Sequence, residues 1–111
     1  MNTITLGTSG IRCQSVGLGT WAMGGWMWGG NDDAAAIDAI RASLDAGVQL
    51  IDTAPAYGLG HAETLVGRAL EGRREQAIVA TKCGLVWHTR QGRHLFDEAG
   101  QAVHRHLGRA S

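Results

Sequence analysis

The feature that most constrains the fold is a repeat of about thirty residues, in which a short apolar run is followed by a helical pattern. The apolar runs end at Gly19, Asp52 and Lys82, so successive ends lie 33 and 30 residues apart. This is the length of one strand-plus-helix unit, and alternation of strands and helices implies parallel strands joined by helical crossovers. The repeat therefore places these three residues on one edge of a sheet, at the carboxyl ends of neighbouring strands, where ligands and catalytic groups lie in such folds.

Apolar spacing and turn residues set the predicted elements. We predict a hairpin over residues 3–14, strands over 16–19, 50–52 and 78–82, and helices over 32–46 and 61–70. In the first helix, Ile37, Ile40 and Leu44 fall on one face at i, i+3 and i+7, and either Asn31 or Asp32 caps its N-terminus. The segment 84–101 is predicted as a long polar loop, and the spacing of Val103 and Leu107 predicts the start of another helix.

Composition limits the classes of partner. Ten basic and ten acidic residues give no net charge, which argues against nucleic acid or an anionic membrane bound mainly by charge. Residues 15–30 carry no charge, but this run is too short and too rich in glycine for a membrane span. The N-terminus lacks the pattern of a secretory signal. The spacing of the histidines and cysteines does not match a zinc site. We therefore expect a cytoplasmic protein without a structural metal.

Ionisable groups at the predicted strand ends suggest proton transfer. Tyr57 and Lys82 are the only tyrosine and the only lysine of the chain. An aspartate and a lysine at strand ends are costly to bury unless they pair, so Asp52 and Lys82 are expected to form an ion pair within reach of Tyr57. A free phenol, with a pKa of about 10, is a weak acid, and a nearby ammonium stabilises its phenolate. Such a phenol could protonate a carbonyl oxygen while hydride reaches the carbonyl carbon.

Three segments of the chain closely resemble the N-terminal third of the aldo-keto reductases. They read V-G-L-G-T-W-A-M-G-G, L-I-D-T-A-P-A-Y-G-L-G-H-A-E-T-L-V-G-R-A-L and I-V-A-T-K-C-G, within a match from about Leu6 to Lys82. The loop G-G-W-M-W-G-G is most similar to that of bacterial members. The resemblance implies an α/β fold in which residues 1–111 form an incomplete (β/α)8 TIM barrel: a hairpin over 3–14 that closes the bottom, followed by about three βα units.

The resemblance also implies NADP(H)-dependent reduction of small aldehydes or ketones to alcohols. Tyr57 would be the general acid, and Lys82 and Asp52 would tune it. Gly19, Thr20 and Trp21, together with Asp52, would lie beside the nicotinamide.

Three tryptophans are assigned to the substrate by the same resemblance. Trp21 and either Trp26 or Trp28 would line the mouth of the substrate site. The alternative interpretation is that the four tryptophans of the chain form a patch that binds a protein partner.

The chain also departs from the family pattern. The family's fourth catalytic residue is a histidine at the end of the fourth strand, and His104 and His106 lie in the wrong element to replace it. The chain is therefore expected to be a truncated piece that is inactive alone. The main alternative is a non-catalytic fragment or protein-binding subunit with the same ancestry. A small flavodoxin-like domain is disfavoured, because no phosphate-binding loop follows the first strand.

Overall fold

A computed structural model describes residues 2–24, 32–87, 93–98 and 101–105 of the chain. The elements are β1 (Thr3–Thr5), β2 (Arg12–Gln14), β3 (Gly17–Gly19), α1 (Asp33–Asp45), β4 (Leu50–Asp52), α2 (His61–Ala69), β5 (Ile78–Ala80), β6 (Leu85–Val86), β7 (Arg93–Glu98) and β8 (Gln101–Arg105). Two 3-10 turns cover Trp21–Gly24 and Arg74–Gln76. Among the described residues, no helix is both long enough and apolar enough to span a membrane.

The central sheet is parallel and has the strand order β3-β4-β5. Gly19 pairs with Asp52, and Asp52 pairs with Ala80, so the carboxyl ends of the strands share one edge. The predicted alternation of strand and helix is thereby confirmed. The third strand ends at Ala80, however, and Lys82 lies two residues beyond it instead of closing it. The last bond of the ladder runs from Thr53 N to Ala80 O (2.8 Å), after which β4 gives way to a loop and the next residues lack a partner strand.

The hydrophobic core lies between the central sheet and the two helices. Ile37, Ile40 and Leu44 are buried, as their spacing in α1 predicts. They pack with the inner face of α2 and with β4 in a single cluster, whose other buried members are Ala36, Ile51, Leu65, Val66, Ala69, Leu70 and Ala77. Burial of these faces holds both helices against the sheet and fixes the strand ends relative to one another.

The ends of α1 follow capping chemistry. Asp32 is the N-cap, and its carboxylate accepts a hydrogen bond from Ala35 N at 3.0 Å. Asn31, the other candidate, lies outside the described residues. The helix ends at Asp45, and Gly47 follows with a φ of +93°, a conformation that favours glycine.

The N-terminal residues form the predicted hairpin. β1 pairs with β2 in antiparallel register, from Thr3 opposite Gln14 to Thr5 opposite Arg12. Its predicted role in closing the bottom of a barrel stays a prediction.

The predictions for the C-terminal part of the chain were wrong in two respects. The segment 84–101 is not simply a loop, because it contains β6 and β7, and Val103 lies in β8 instead of a helix. These strands form an antiparallel sheet with the order β6-β8-β7, in which buried Val103 lies opposite Phe96. Two apolar residues spaced by four are a weak helical signal when a neighbouring segment offers a partner strand. Leu107 lies outside the described residues.

Candidate active site

The structure brings Lys82 and Asp52 together at the carboxyl edge of the central sheet. Lys82 Nζ donates to both carboxylate oxygens of Asp52, at 3.1 and 3.3 Å, and to the backbone oxygen of Thr53 at 2.9 Å. The side chains of Lys82 and Asp52 are 51% and 48% exposed, so the pair lies on the rim and is not buried as the sequence suggested. A rim position leaves the pair accessible to a ligand.

Tyr57 lies beside this pair, on the loop between β4 and α2. Lys82 Nζ lies 4.9 Å from the centroid of the Tyr57 ring. The Trp21 ring lies 6.4 Å from the Tyr57 ring, centroid to centroid, at an interplanar angle of 34°. The phenol is therefore close to both an ammonium and an indole.

The surroundings of Lys82 keep it protonated. Partial desolvation lowers the pKa of its ammonium, but hydrogen bonding and charge interactions with Asp52 and Tyr57 outweigh this effect and raise the pKa above its ordinary value of 10.5. The site therefore holds a stable positive charge next to the phenol.

Thr20 and Gly19 differ in what they offer a cofactor. Thr20 is buried, and both its backbone N and its Oγ1 donate to Asp52 O at 3.0 Å. Its hydroxyl thus fastens the end of β3 to the end of β4, and the predicted place of Thr20 beside a nicotinamide stays a prediction. Gly19 is exposed, and a Cβ added there would meet nothing within 4 Å. Among the described residues, nothing fills the space in front of Gly19.

Of the three predicted substrate-binding tryptophans, Trp21 is in the described residues. Its side chain is among the exposed large apolar groups, at 43%, and it flanks Tyr57. Trp26 and Trp28 lie outside the described part of the chain.

Sequence reasoning missed two features around Tyr57. One is a close backbone contact between Gly24 and Gly58. Glycine at both of these positions was the signal for it in the sequence. The other is a cavity of about 80 Å³ behind the phenol, with Cys83 and Lys82 in its wall. No sequence spacing predicts this cavity, because loops from different repeats form its wall.

The described residues contain no cluster of three or more histidine, cysteine, aspartate or glutamate side chains that could hold a metal ion. The arrangement of an ammonium, a carboxylate and a phenol is instead suited to donating a proton and stabilising the phenolate left behind. Parallel βα units that carry such groups at the carboxyl ends of the strands are typical of (β/α)-barrel enzymes.

Within this class, the chain belongs to the aldo/keto reductase family, whose sequence profile matches residues 15–109. It is 49% identical over 104 residues to an aldo-keto reductase of Bacillus subtilis, and the match covers 92% of this chain and 30% of that protein. It is 48% identical over 103 residues to the NADH-specific methylglyoxal reductase of Escherichia coli, covering 90% of this chain and 31% of the relative. The chain thus spans about 30% of the length of these relatives.

Solved structures agree with this assignment. A glycerol dehydrogenase from Gluconobacter oxydans superposes with a TM-score of 0.71 at 48% identity, over 93% of this chain and 30% of the other. An aldo/keto reductase from Klebsiella pneumoniae, in complex with NADP and acetate, superposes with a TM-score of 0.58 at 36% identity, over 65% of this chain and 24% of the other. The predicted fold class, an incomplete (β/α)8 barrel, is confirmed: the described residues contain an open three-stranded parallel sheet, and the chain superposes on about 30% of solved structures of the family.

Proposed function

We propose that this chain supplies the proton-donating part of an NADP(H)-dependent reductase that converts small aldehydes or ketones to alcohols. The observation that carries the proposal is the placement of the Lys82 ammonium between the Asp52 carboxylate and the Tyr57 ring, on the open rim of the sheet. Family membership supports the same reaction class.

In the reductive direction, Tyr57 is the general acid. Its O–H bond breaks as the proton passes to the carbonyl oxygen. The reduced coenzyme, NADPH, would when bound supply the hydride that the carbonyl carbon takes up and would be left as NADP+. The Lys82 ammonium stabilises the phenolate that remains, and Asp52 holds the ammonium in place through two hydrogen bonds. A proton from solvent then restores the phenol, since the pair is half exposed.

The residues present fit a nicotinamide at this edge. The open space at Gly19 allows a flat ring to approach the ends of β3 and β4. Trp21, exposed beside Tyr57, offers an apolar surface to the carbonyl substrate. The Klebsiella relative is seen with NADP, and the Escherichia coli relative is named NADH-specific, so both coenzymes belong in the test.

The test requires a completed barrel. Residues 1–84 of this chain are joined to the remaining barrel of the Bacillus subtilis relative, and oxidation of NADPH and NADH is followed with methylglyoxal and with simple aldehydes. We expect carbonyl-dependent oxidation of the coenzyme. Lys82→Met should lower kcat by about 10²–10³-fold, because it removes the charge that stabilises the phenolate.

Arg68→Met is the matched control, since it removes another basic side chain from an exposed site on α2 and should leave the rate unchanged. A folded chimera that binds coenzyme but reduces no carbonyl would contradict the proposal. Specific capture of a protein partner without any coenzyme binding would favour a non-catalytic subunit instead.

A further inference from the structure

We propose that Gly24 is a positioning residue for Tyr57. Its bare Cα lies against the peptide that joins Tyr57 to Gly58, and this contact sets the phenol beside Lys82 Nζ. The inference rests on the proposed role of Tyr57 and adds a residue outside the group that handles the proton.

The contact between Gly24 and Gly58, called here the glycine contact, leaves no room for a side chain. A Cβ on Gly24 would lie 2.6 Å from Gly58 N and 2.7 Å from the carbonyl carbon of Tyr57. Real Cβ atoms essentially never approach other heavy atoms closer than 3.0 Å. Because both neighbours are backbone atoms, a larger residue at position 24 cannot be accommodated by rotating a side chain and must move the Tyr57 peptide.

The other side of the glycine contact is restricted independently. Gly58 has a φ of +66°, which residues with a side chain rarely adopt. A Cβ there would also collide with Gly24 O and Cα. The glycine contact therefore fixes both the position of the loop and the backbone conformation immediately after Tyr57.

The 3-10 turn that carries Gly24 is itself fastened to the site. At its start, Thr20 donates two hydrogen bonds to Asp52 O, and Met23 N donates to Thr20 O at 3.0 Å. The turn therefore bridges the end of β4, where Asp52 pairs with Lys82, and the loop that carries Tyr57. Its length sets the separation between the ion pair and the phenol.

The helix on the far side of Tyr57 limits how the loop can relax. Ala62 N donates to Tyr57 O at 3.1 Å, and His61 N donates to Gly58 O at 3.2 Å. The loop therefore cannot move freely to accommodate a side chain at position 24. We expect such a side chain to displace the phenol from Lys82.

The unique tyrosine and lysine make this displacement measurable by NMR. In the 111-residue chain with a labelled tyrosine ring, the Tyr57 ring should give a through-space cross-peak to the Lys82 side chain. Gly24→Ala should abolish this cross-peak. Gly67→Ala is the matched control, since a Cβ there meets nothing within 4 Å, and it should retain the cross-peak.

A second measurement does not depend on how the variant folds. In the unmodified chain, the Gly24 α protons should give a cross-peak to the Gly58 amide proton, and its absence would overturn the proposal. In the completed barrel, Gly24→Ala should lower kcat by about 10²-fold, as a 1 Å misplacement does, without weakening coenzyme binding.

The outcomes separate the two claims. If Gly24→Ala leaves the Tyr57–Lys82 cross-peak intact, Gly24 is not a positioning residue, whatever the role of Tyr57. If the cross-peak disappears and kcat stays unchanged, Gly24 does position Tyr57, and the assignment of Tyr57 as the acid is wrong.

Discussion

At the scale of residues, one ammonium group contacts the other candidate groups of the site. Lys82 Nζ is shared by the two carboxylate oxygens of Asp52 and the backbone oxygen of Thr53, and the Tyr57 ring lies beside it. Since the chain contains no second lysine and no second tyrosine, the sequence alone could identify both partners. The sequence could not indicate that the Thr20 hydroxyl donates a hydrogen bond to Asp52 O, because a buried threonine and a ligand-binding threonine look alike in sequence.

The raised pKa of Lys82 predicts a pH dependence of stability. The folded chain binds this proton more tightly than the unfolded chain, so the contribution of Lys82 is fully present below its ordinary pKa of 10.5. It is lost as the pH rises through the raised pKa of the folded state. The difference in unfolding free energy between the unmodified chain and Lys82→Met should therefore shrink in alkaline solution, measured by urea unfolding across pH. A difference that grows with alkaline pH would contradict this.

At the scale of elements, side-chain contacts join the two helices near the ends of α2. Arg41 of α1 donates to Arg68 O and Ala69 O at the C-terminus of α2, each at 3.3 Å. His61, the first residue of α2, contacts Asp33, the first residue of α1, at 2.7 Å between Nε2 and Oδ1. These contacts join α1 to both ends of α2.

Arg41 should therefore contribute to stability through the carbonyl groups of α2. Arg41→Met keeps the apolar stem but leaves those carbonyl oxygens without this cationic donor, and we expect a loss of about 1 kcal/mol. Arg12→Met makes the same chemical change at an exposed position of β2 and should cost much less. Urea unfolding measures both. Equal losses would show that Arg41 acts only through its general charge.

Periodicity predicted the helices and the central strands well, and its failures have a physical cause. Ile37, Ile40 and Leu44 are buried because a stripe of this spacing has one way to face the sheet. Residues 84–105 lack such a pattern, and their strands pair only with each other.

At the scale of the whole molecule, the described central sheet has open edges. Each of the two outer strands, β3 and β5, pairs with β4 on one side only, whereas every strand of a closed barrel is paired on both sides. The strand ends and their catalytic candidates could be predicted from the repeat, but the depth of the site could not, because it depends on loops from separate repeats.

We accordingly expect the isolated 111-residue chain to bind NADPH weakly and to show no carbonyl reduction. Titration of NADPH fluorescence and a coenzyme oxidation assay measure these two properties. The expectation would be wrong if the isolated chain bound NADPH tightly or turned over carbonyl substrate with NADPH.

The most direct test of the account is the reductase rate of Tyr57→Phe in the completed barrel. This change removes only the hydroxyl that is proposed to donate the proton and keeps the ring beside Lys82 and Trp21. We predict that kcat falls by about 10²–10⁴-fold, the usual contribution of a general acid, while coenzyme affinity is retained. An undiminished rate would show that the proton reaches the carbonyl oxygen from another group.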